Sequence, residues 1–260
     1  MDINTIKNFI KSKKKRKKSA IIYIDYEHWY YSYVNFFNLT PNLDNLLKEF
    51  KKMYTIIDVY VFANFFPVKI SKEPCKLKAI KDIKIIEIPI NITHYKKDMT
   101  DFVMVDYIYK QIISGAMVDT FIIITGDGHF YPVTNYLVKE QKKEVIVYGV
   151  RGSISQLLKN TASSVIELPT EVELRNKYYN MILQNFIYST GRDIYSTLLN
   201  TEDAVSQNNK VDSIVVRKYI QEMIDNGYLY IKKETILNSR SMPTIHADWP
   251  RLVRDGIWEE

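Results

Sequence analysis

Six short runs rich in Ile and Val recur along the chain: 20–25 (AIIYID), 57–63 (IDVYVFA), 84–88 (KIIEI), 120–125 (TFIIIT), 144–149 (EVIVYG) and 164–168 (SVIEL). Runs this short and this apolar read as strands buried on both faces. Between them lie 41–53, 100–114, 130–140 and 153–160, which read as helices. The first has Pro41 near its start and sets Leu43, Leu46, Leu47 and Phe50 on one face. Strand and helix alternating in this way predict an α/β domain with a parallel, Rossmann-like sheet. Right-handed crossovers place helices on both faces of such a sheet. Its ligands bind beyond the carboxyl ends of the strands, where the strand order reverses.

Two of the apolar runs end on polar residues at that edge. Residues 121–129 (FIIITGDGH) turn through Gly126 to Asp127 and His129, and 21–28 (IIYIDYEH) run into Asp25 and His28. A third acidic stretch, 96–106 (KKDMTDFVMVD), lies between them. Thr100 suits the cap of a helix with Asp101 in its first turn. Asp106, five positions on, is about 140° around that helix and does not share a face with Asp101. Asp25, Asp101 and Asp127 converging without a neighbouring base point to a hard divalent cation, Mg2+ or Mn2+, bound through oxygen. Such an ion beside a phosphodiester neutralises charge and activates water, and a second about 3.5–4 Å away clamps the leaving oxygen. No Gly-x-Ser-x-Gly nucleophile motif competes with that reading. Each acid also has an ordinary structural role open to it. Asp25 and Asp127 precede predicted helices and suit N-caps, Asp101 is favoured by the helix dipole, and Asp106 suits a solvated face.

Hydrophobic residues make up 46% of the 260, enough for a sizeable core. A single cysteine, Cys75, excludes a disulfide framework and a cysteine-based zinc site, and fits a reducing cytoplasm. No apolar run reaches the roughly 18 residues of a membrane span, and the N-terminal residues show no signal-peptide pattern. The formal net charge is +6, yet seven Lys or Arg fall within 11–18, and the rest of the chain sums to −1. Residues 1–18 are therefore expected to be a disordered basic arm, with Lys13, Lys14, Lys15, Arg16, Lys17 and Lys18 attracting a polyanion. Lys69, Lys72, Lys76, Lys78, Lys81 and Lys84 share one connecting stretch. They could line a groove for a phosphate backbone, with Phe65, Phe66, Tyr30 or Tyr31 stacking on bases, or simply form a solvated face.

After Pro169 the pattern changes. Residues 171–189 read as a long helix, 190–209 as a helix and a polar loop, 212–226 as a helix ended by Gly227, and 228–236 as an alternating strand. That order is winged-helix-like and defines a second domain over 171–260, mainly helical. Its 11 basic and 13 acidic residues sum to −2, which argues against strong duplex binding through Arg217, Lys218, Lys232 and Lys233. A protein partner, a homodimer contact or RNA positioning fits that sign better.

The motifs IDYEHW, KKDMTDFVMVD, ITGDGHFYPVTNYL and VIVYGVRGSISQLL, in this order, resemble the NYN domain of the PIN-like nuclease superfamily, in its bacterial LabA-type form. The resemblance covers 19–168. It implies a PIN-like fold and a metal-dependent nuclease acting on RNA, single-stranded RNA above all. Asp25 then matches the first-strand acid, Asp101 the helix acid with Lys97 as the basic residue before it, and Asp127 the acid after the fourth strand. Ser155 matches a recurrent hydroxyl. The family often has Asn at His28, a second Asp at His129 and an acid at Ser163. Imidazole is a poorer ligand for magnesium, so His129, with His28 as an accessory, shifts metal choice toward manganese or contacts phosphate. Two other classes stay open: an NYN-type protein that binds RNA or a partner without cutting, and a nucleic-acid regulator acting through the winged helix. A haloacid-dehalogenase-type phosphatase is disfavoured because Glu27 stands where its second Asp belongs. A dinucleotide fold is set aside because no glycine follows the first strand.

Overall fold

The computed structural model describes residues 16–88, 99–115, 117–192, 195–236 and 240–259. Lys13, Lys14, Lys15 and Lys97, expected to meet nucleic acid or the site, lie outside them. The chain divides into two compact units, one ending at Leu168 and one beginning at Pro169.

The first unit is a six-stranded sheet, all of its pairings parallel, in the order β3-β2-β1-β4-β5-β6. The strands are β1 (Ser19–Asp25), β2 (Thr55–Ala63), β3 (Lys84–Glu87), β4 (Thr120–Ile124), β5 (Glu144–Val150) and β6 (Ser164–Leu168). Side chains alternate across the sheet. Ala20, Ile22, Ile24, Ile122, Ile124, Ile146 and Tyr148 face one core, and Ile21, Tyr23, Phe121, Ile123, Val145 and Val147 face the other. Because β1 and β4 are central, both faces must be apolar, which is why their runs are continuous.

The first face is covered by α1 (Tyr26–Ser32), which continues as a π-helical turn (Tyr33–Phe37), by α2 (Leu43–Met53) and by α3 (Glu73–Lys78), which contribute Trp29, Tyr33, Leu43, Leu47, Phe50 and Leu77. The second face is covered by α4 (Met99–Ile113), α5 (Tyr131–Lys139) and α6 (Gln156–Thr161), through Met104, Ile108, Val133, Leu137 and Leu158. Helices were expected where α2, α4, α5 and α6 stand. The helices α1 and α3, for which no bounds were expected, are short, and α1 begins one residue after β1 ends. Strand order reverses between β1 and β4, since β1 leads outward to β2 and β4 to β5. The carboxyl ends of those two strands therefore flank the crevice of an open α/β sheet.

The second unit is mainly helical. Its helices are α7 (Glu171–Thr190), α8 (Leu198–Asn209), α9 (Ser213–Asp225) and α10 (Trp249–Arg254), with an antiparallel hairpin of β7 (Leu229–Ile236) and β8 (Arg240–Ala247). A reciprocal cap starts α7: the Thr170 hydroxyl accepts from the Glu173 amide at 3.2 Å, and the Glu173 carboxylate accepts from the Thr170 amide at 2.7 Å. Tyr179, Ile182, Leu183, Phe186, Val216, Ile220 and Met223 form its core with Leu229 and Ile245. Residues 190–209, expected as a helix and a polar loop, contain α8: Thr197 caps it and Lys210 ends it in the left-handed region (φ 52°). Gly227 (φ +70°) turns the chain from α9 toward β7.

Candidate functional site

The carboxyl edge of β1 and β4 is built by turns with caps. Asp25 ends β1 and its Oδ1 accepts from the His28 amide at 3.1 Å, starting α1. Its Oδ2 accepts from the Thr125 hydroxyl at 3.0 Å. The same hydroxyl accepts from the Asp127 amide at 3.1 Å. Thr125 thus couples the buried acid of β1 to the loop after β4. Asp127 in turn accepts from the His129 amide at 2.9 Å and caps a short 3-10 turn (Gly128–Phe130) that leads into α5. The buried Phe130 anchors that turn in the core.

Three side chains converge outside this edge. His129 Nδ1 lies 3.2 Å from Asp101 Oδ2 and 3.3 Å from Asp127 Oδ1. One ligand atom from each of Asp101, Asp127 and His129 falls within 4.8 Å of the other two. Two carboxylate oxygens and one imidazole nitrogen form a donor set that a divalent cation can take up. Asp101 is in the first turn of α4, with its side chain 15% exposed, whereas His129 is 62% exposed. The cluster therefore opens to solvent from a buried base.

Of the residues expected at the site, the sheet edge gathers Asp101, Asp127 and His129 into one cluster. Asp25 stands behind them, buried and doubly hydrogen-bonded. Burial, reinforced by the negative charge of Asp101 and offset in part by its hydrogen bonds, pushes its carboxyl up to about 7. His28 packs inward: its Nε2 lies 3.3 Å from the Ser153 hydroxyl, and a Cβ on Gly126 would come within 2.6 Å of that nitrogen. Burial lowers the pKa of His28 despite the pull of Asp127, so a charged contact with phosphate does not suit it. Asp106 pairs instead with Lys110 at 2.6 Å on the exposed side of α4. Ser155 caps α6 through the Leu157 amide, and its own amide donates to the Gly126 carbonyl at 2.8 Å. It braces the Asp127 turn from beneath.

The basic residues are spread more widely. Lys17 donates to the Lys51 carbonyl at 2.7 Å and Lys18 pairs with Glu144 at 3.0 Å. Both contacts lie at the amino-terminal edge of the sheet, opposite the acidic cluster, and Arg16 precedes them. Lys76 pairs with buried Glu73 at 2.7 Å, and Lys78 ends α3 exposed. Sequence reasoning missed Glu27 and Thr125. Glu27 Oε1 accepts from the Asn64 amide after β2 and from the Thr100 hydroxyl at 3.1 Å, so it fixes the start of α4 and with it Asp101. The signal was present in its position two residues past Asp25, in the first turn of the helix that Asp25 caps.

The model of the NYN domain matches residues 19–169. The chain belongs to the NYN domain family. Among solved structures, a protein of unknown function from Vibrio parahaemolyticus RIMD 2210633 superposes with a TM-score of 0.52 at 18% identity. The match spans 60% of this chain and 96% of that one and speaks to the fold of the NYN domain. No curated protein matches the chain significantly. Membership brings a PIN-like nuclease fold to the acidic cluster of this NYN domain, and NYN domains typically bind nucleic acid. Among the described residues no helix is long and apolar enough to cross a membrane.

Proposed function

We propose that the chain is a metal-dependent ribonuclease that hydrolyses phosphodiesters of single-stranded RNA. The observation that carries this reading is the meeting of Asp101, Asp127 and His129 at the switch point of an NYN-domain sheet. Their oxygen and nitrogen atoms would hold the ion, and the imidazole favours Mn2+ over the harder Mg2+. When bound, such a cation offsets charge on the phosphoryl oxygens and makes water a stronger acid. Asp25 adds a carboxylate behind the set, Thr125 and Ser155 hold the Asp127 turn, and Glu27 holds the α4 end. Residues 1–18 would serve as an arm that concentrates the polyanion. The test is cleavage of labelled single-stranded RNA with Mn2+, with Mg2+ and with chelator, beside Asp127→Asn. Manganese-supported cutting that both the chelator and the variant abolish is expected. Cutting indifferent to chelator or to Asp127 would overturn the reading, and RNA binding without cutting would replace it with a binding function.

From its helix–helix–hairpin order we read the C-terminal unit as a winged-helix-like module for a protein partner or a second copy. Arg217, on α9, is held in a two-pronged pair with buried Glu202 (2.7 and 3.1 Å) and is not offered to a phosphate. Ile214 at the start of the same helix is 74% exposed. The full chain should leave duplex DNA unbound at 150 mM salt (an intended condition, roughly physiological); tight, salt-sensitive duplex binding would restore the regulator reading.

A further inference from the structure

We propose that a nucleobase-stacking platform stands beside the acidic cluster, formed by Phe66 and Phe102 and edged by Lys69 and Lys72, and that it takes single-stranded RNA. It rests on the ribonuclease reading for the identity of its ligand. The two rings are 80% and 67% exposed, although phenylalanine gains nothing from water. Both are tied to one clamp. The Phe66 amide donates to the Asn64 side chain at 3.0 Å, the Asn64 amide donates to Glu27, and the Thr100 hydroxyl donates to the same Glu27 oxygen. Phe66 is thus two residues from one anchor and Phe102 two residues from the other. Asp101, a member of the acidic cluster, sits between Thr100 and Phe102.

The segment that carries Phe66 is fixed, not slack. Ile70 is buried, the Tyr30 hydroxyl donates to the Lys69 carbonyl at 2.7 Å, and the Tyr26 hydroxyl donates to Glu73 at 2.7 Å. A ring carried on a backbone held in place leaves less to order when a base stacks on it. Charge selects the occupant. Residues 64–81 carry Lys69, Lys72, Lys76, Lys78 and Lys81 against one acid, Glu73, which is buried and bonded to Tyr26 and Lys76. Among the described residues, Lys69 and Lys72 form no ion pair and are exposed. Apolar faces and unspent cations side by side are what a single strand requires, because every base has a face to stack and every linkage a charge. A protein partner would gain from the rings but not from the lysines.

The test is binding of a short fluorescent oligouridine by anisotropy, in chelator, so that no cutting intervenes. An abasic strand of equal length and charge runs beside it. Phe66→Ala/Phe102→Ala should weaken uridine binding by about 5- to 100-fold per ring and leave abasic binding unchanged. Phe66→Leu/Phe102→Leu should lose nearly as much, while Phe66→Trp/Phe102→Trp should retain it. Lys69→Ala/Lys72→Ala should lower the slope of log affinity against log salt by about 1.4. Equal binding of base-bearing and abasic strands by the parent, or full binding by the leucine pair, would overturn the platform. So would absence of RNA binding, which would return the rings to a protein contact. Binding that depends on both rings in a chain that never cuts RNA with Mn2+ would sustain the platform and end the nuclease reading.

Discussion

Replacing Asp25 with asparagine should reverse the sign of its effect on stability between pH 3 and pH 8. In the folded chain, burial holds the Asp25 carboxyl up to about 7, against an ordinary 3.8. The native state therefore binds more protons than the unfolded state between those values, and stability falls as pH rises through that window. Ionising the buried group fully costs roughly 4 kcal/mol, an upper figure because the site relaxes. Asparagine never ionises and escapes that cost. It keeps one acceptor for the His28 amide, but its amide nitrogen faces the Thr125 hydroxyl where Asp25 accepts. That hydroxyl already accepts from the Asp127 amide, so its own proton loses a partner, at about 1 kcal/mol. The variant should be less stable than the parent by about 1 kcal/mol at pH 3 and more stable by up to about 3 kcal/mol at pH 8. Urea unfolding of both proteins across pH 3–8 in chelator measures the difference directly. A difference that stays flat over that range would refute the claim that burial holds the Asp25 carboxyl far above the ordinary carboxylate range. With saturating Mn2+ the parent should recover stability at pH 8, since a cation nearby favours the carboxylate.

Two further changes test the scaffold around the cluster. Gly126→Ala places a Cβ against the Ser153 carbonyl oxygen and the His28 ring, so it should cost about 1–3 kcal/mol in unfolding experiments and reduce cleavage by displacing Asp127; unchanged stability would show that the turn is loose. Thr170→Ala removes half of the reciprocal cap on α7 and should destabilise the C-terminal unit by about 1 kcal/mol, read as a lower urea midpoint for that unit.

The parallel sheet was legible because fully buried strands leave a plain trace: β1 and β4 are apolar at nearly every position, and that pattern has few alternatives. The helices on its second face followed from the stretches left between the strands. The cluster was legible in part, because carboxylates at strand ends are visible once the strands are. What the sequence hid was depth. Asp25 and Asp127 look alike in sequence, each following an apolar run, yet Thr125 draws one into the interior while the other stays at the rim. The imidazole of His129 turned out to share the cluster because a single 3-10 turn, capped by Asp127, swings it toward α4. Short helices such as α1 hold too few residues for a period to show which face is buried, so the inward role of Glu27 was hidden. In the C-terminal unit, polarity left the division of 190–209 into helix and loop open, and packing of Val205 against the core holds α8.

The account turns on whether Asp101, Asp127 and His129 hold a cation. The most direct measurement is a titration of the full chain with Mn2+ at pH 7.5 (an intended condition, above the ordinary imidazole range), following free ion by electron paramagnetic resonance, with Asp101→Asn and Asp127→Asn in parallel. Saturable uptake by the parent, weakened at least about 10-fold in each variant, is the predicted result. Uptake equal in parent and variants, or no uptake by the parent, would contradict it.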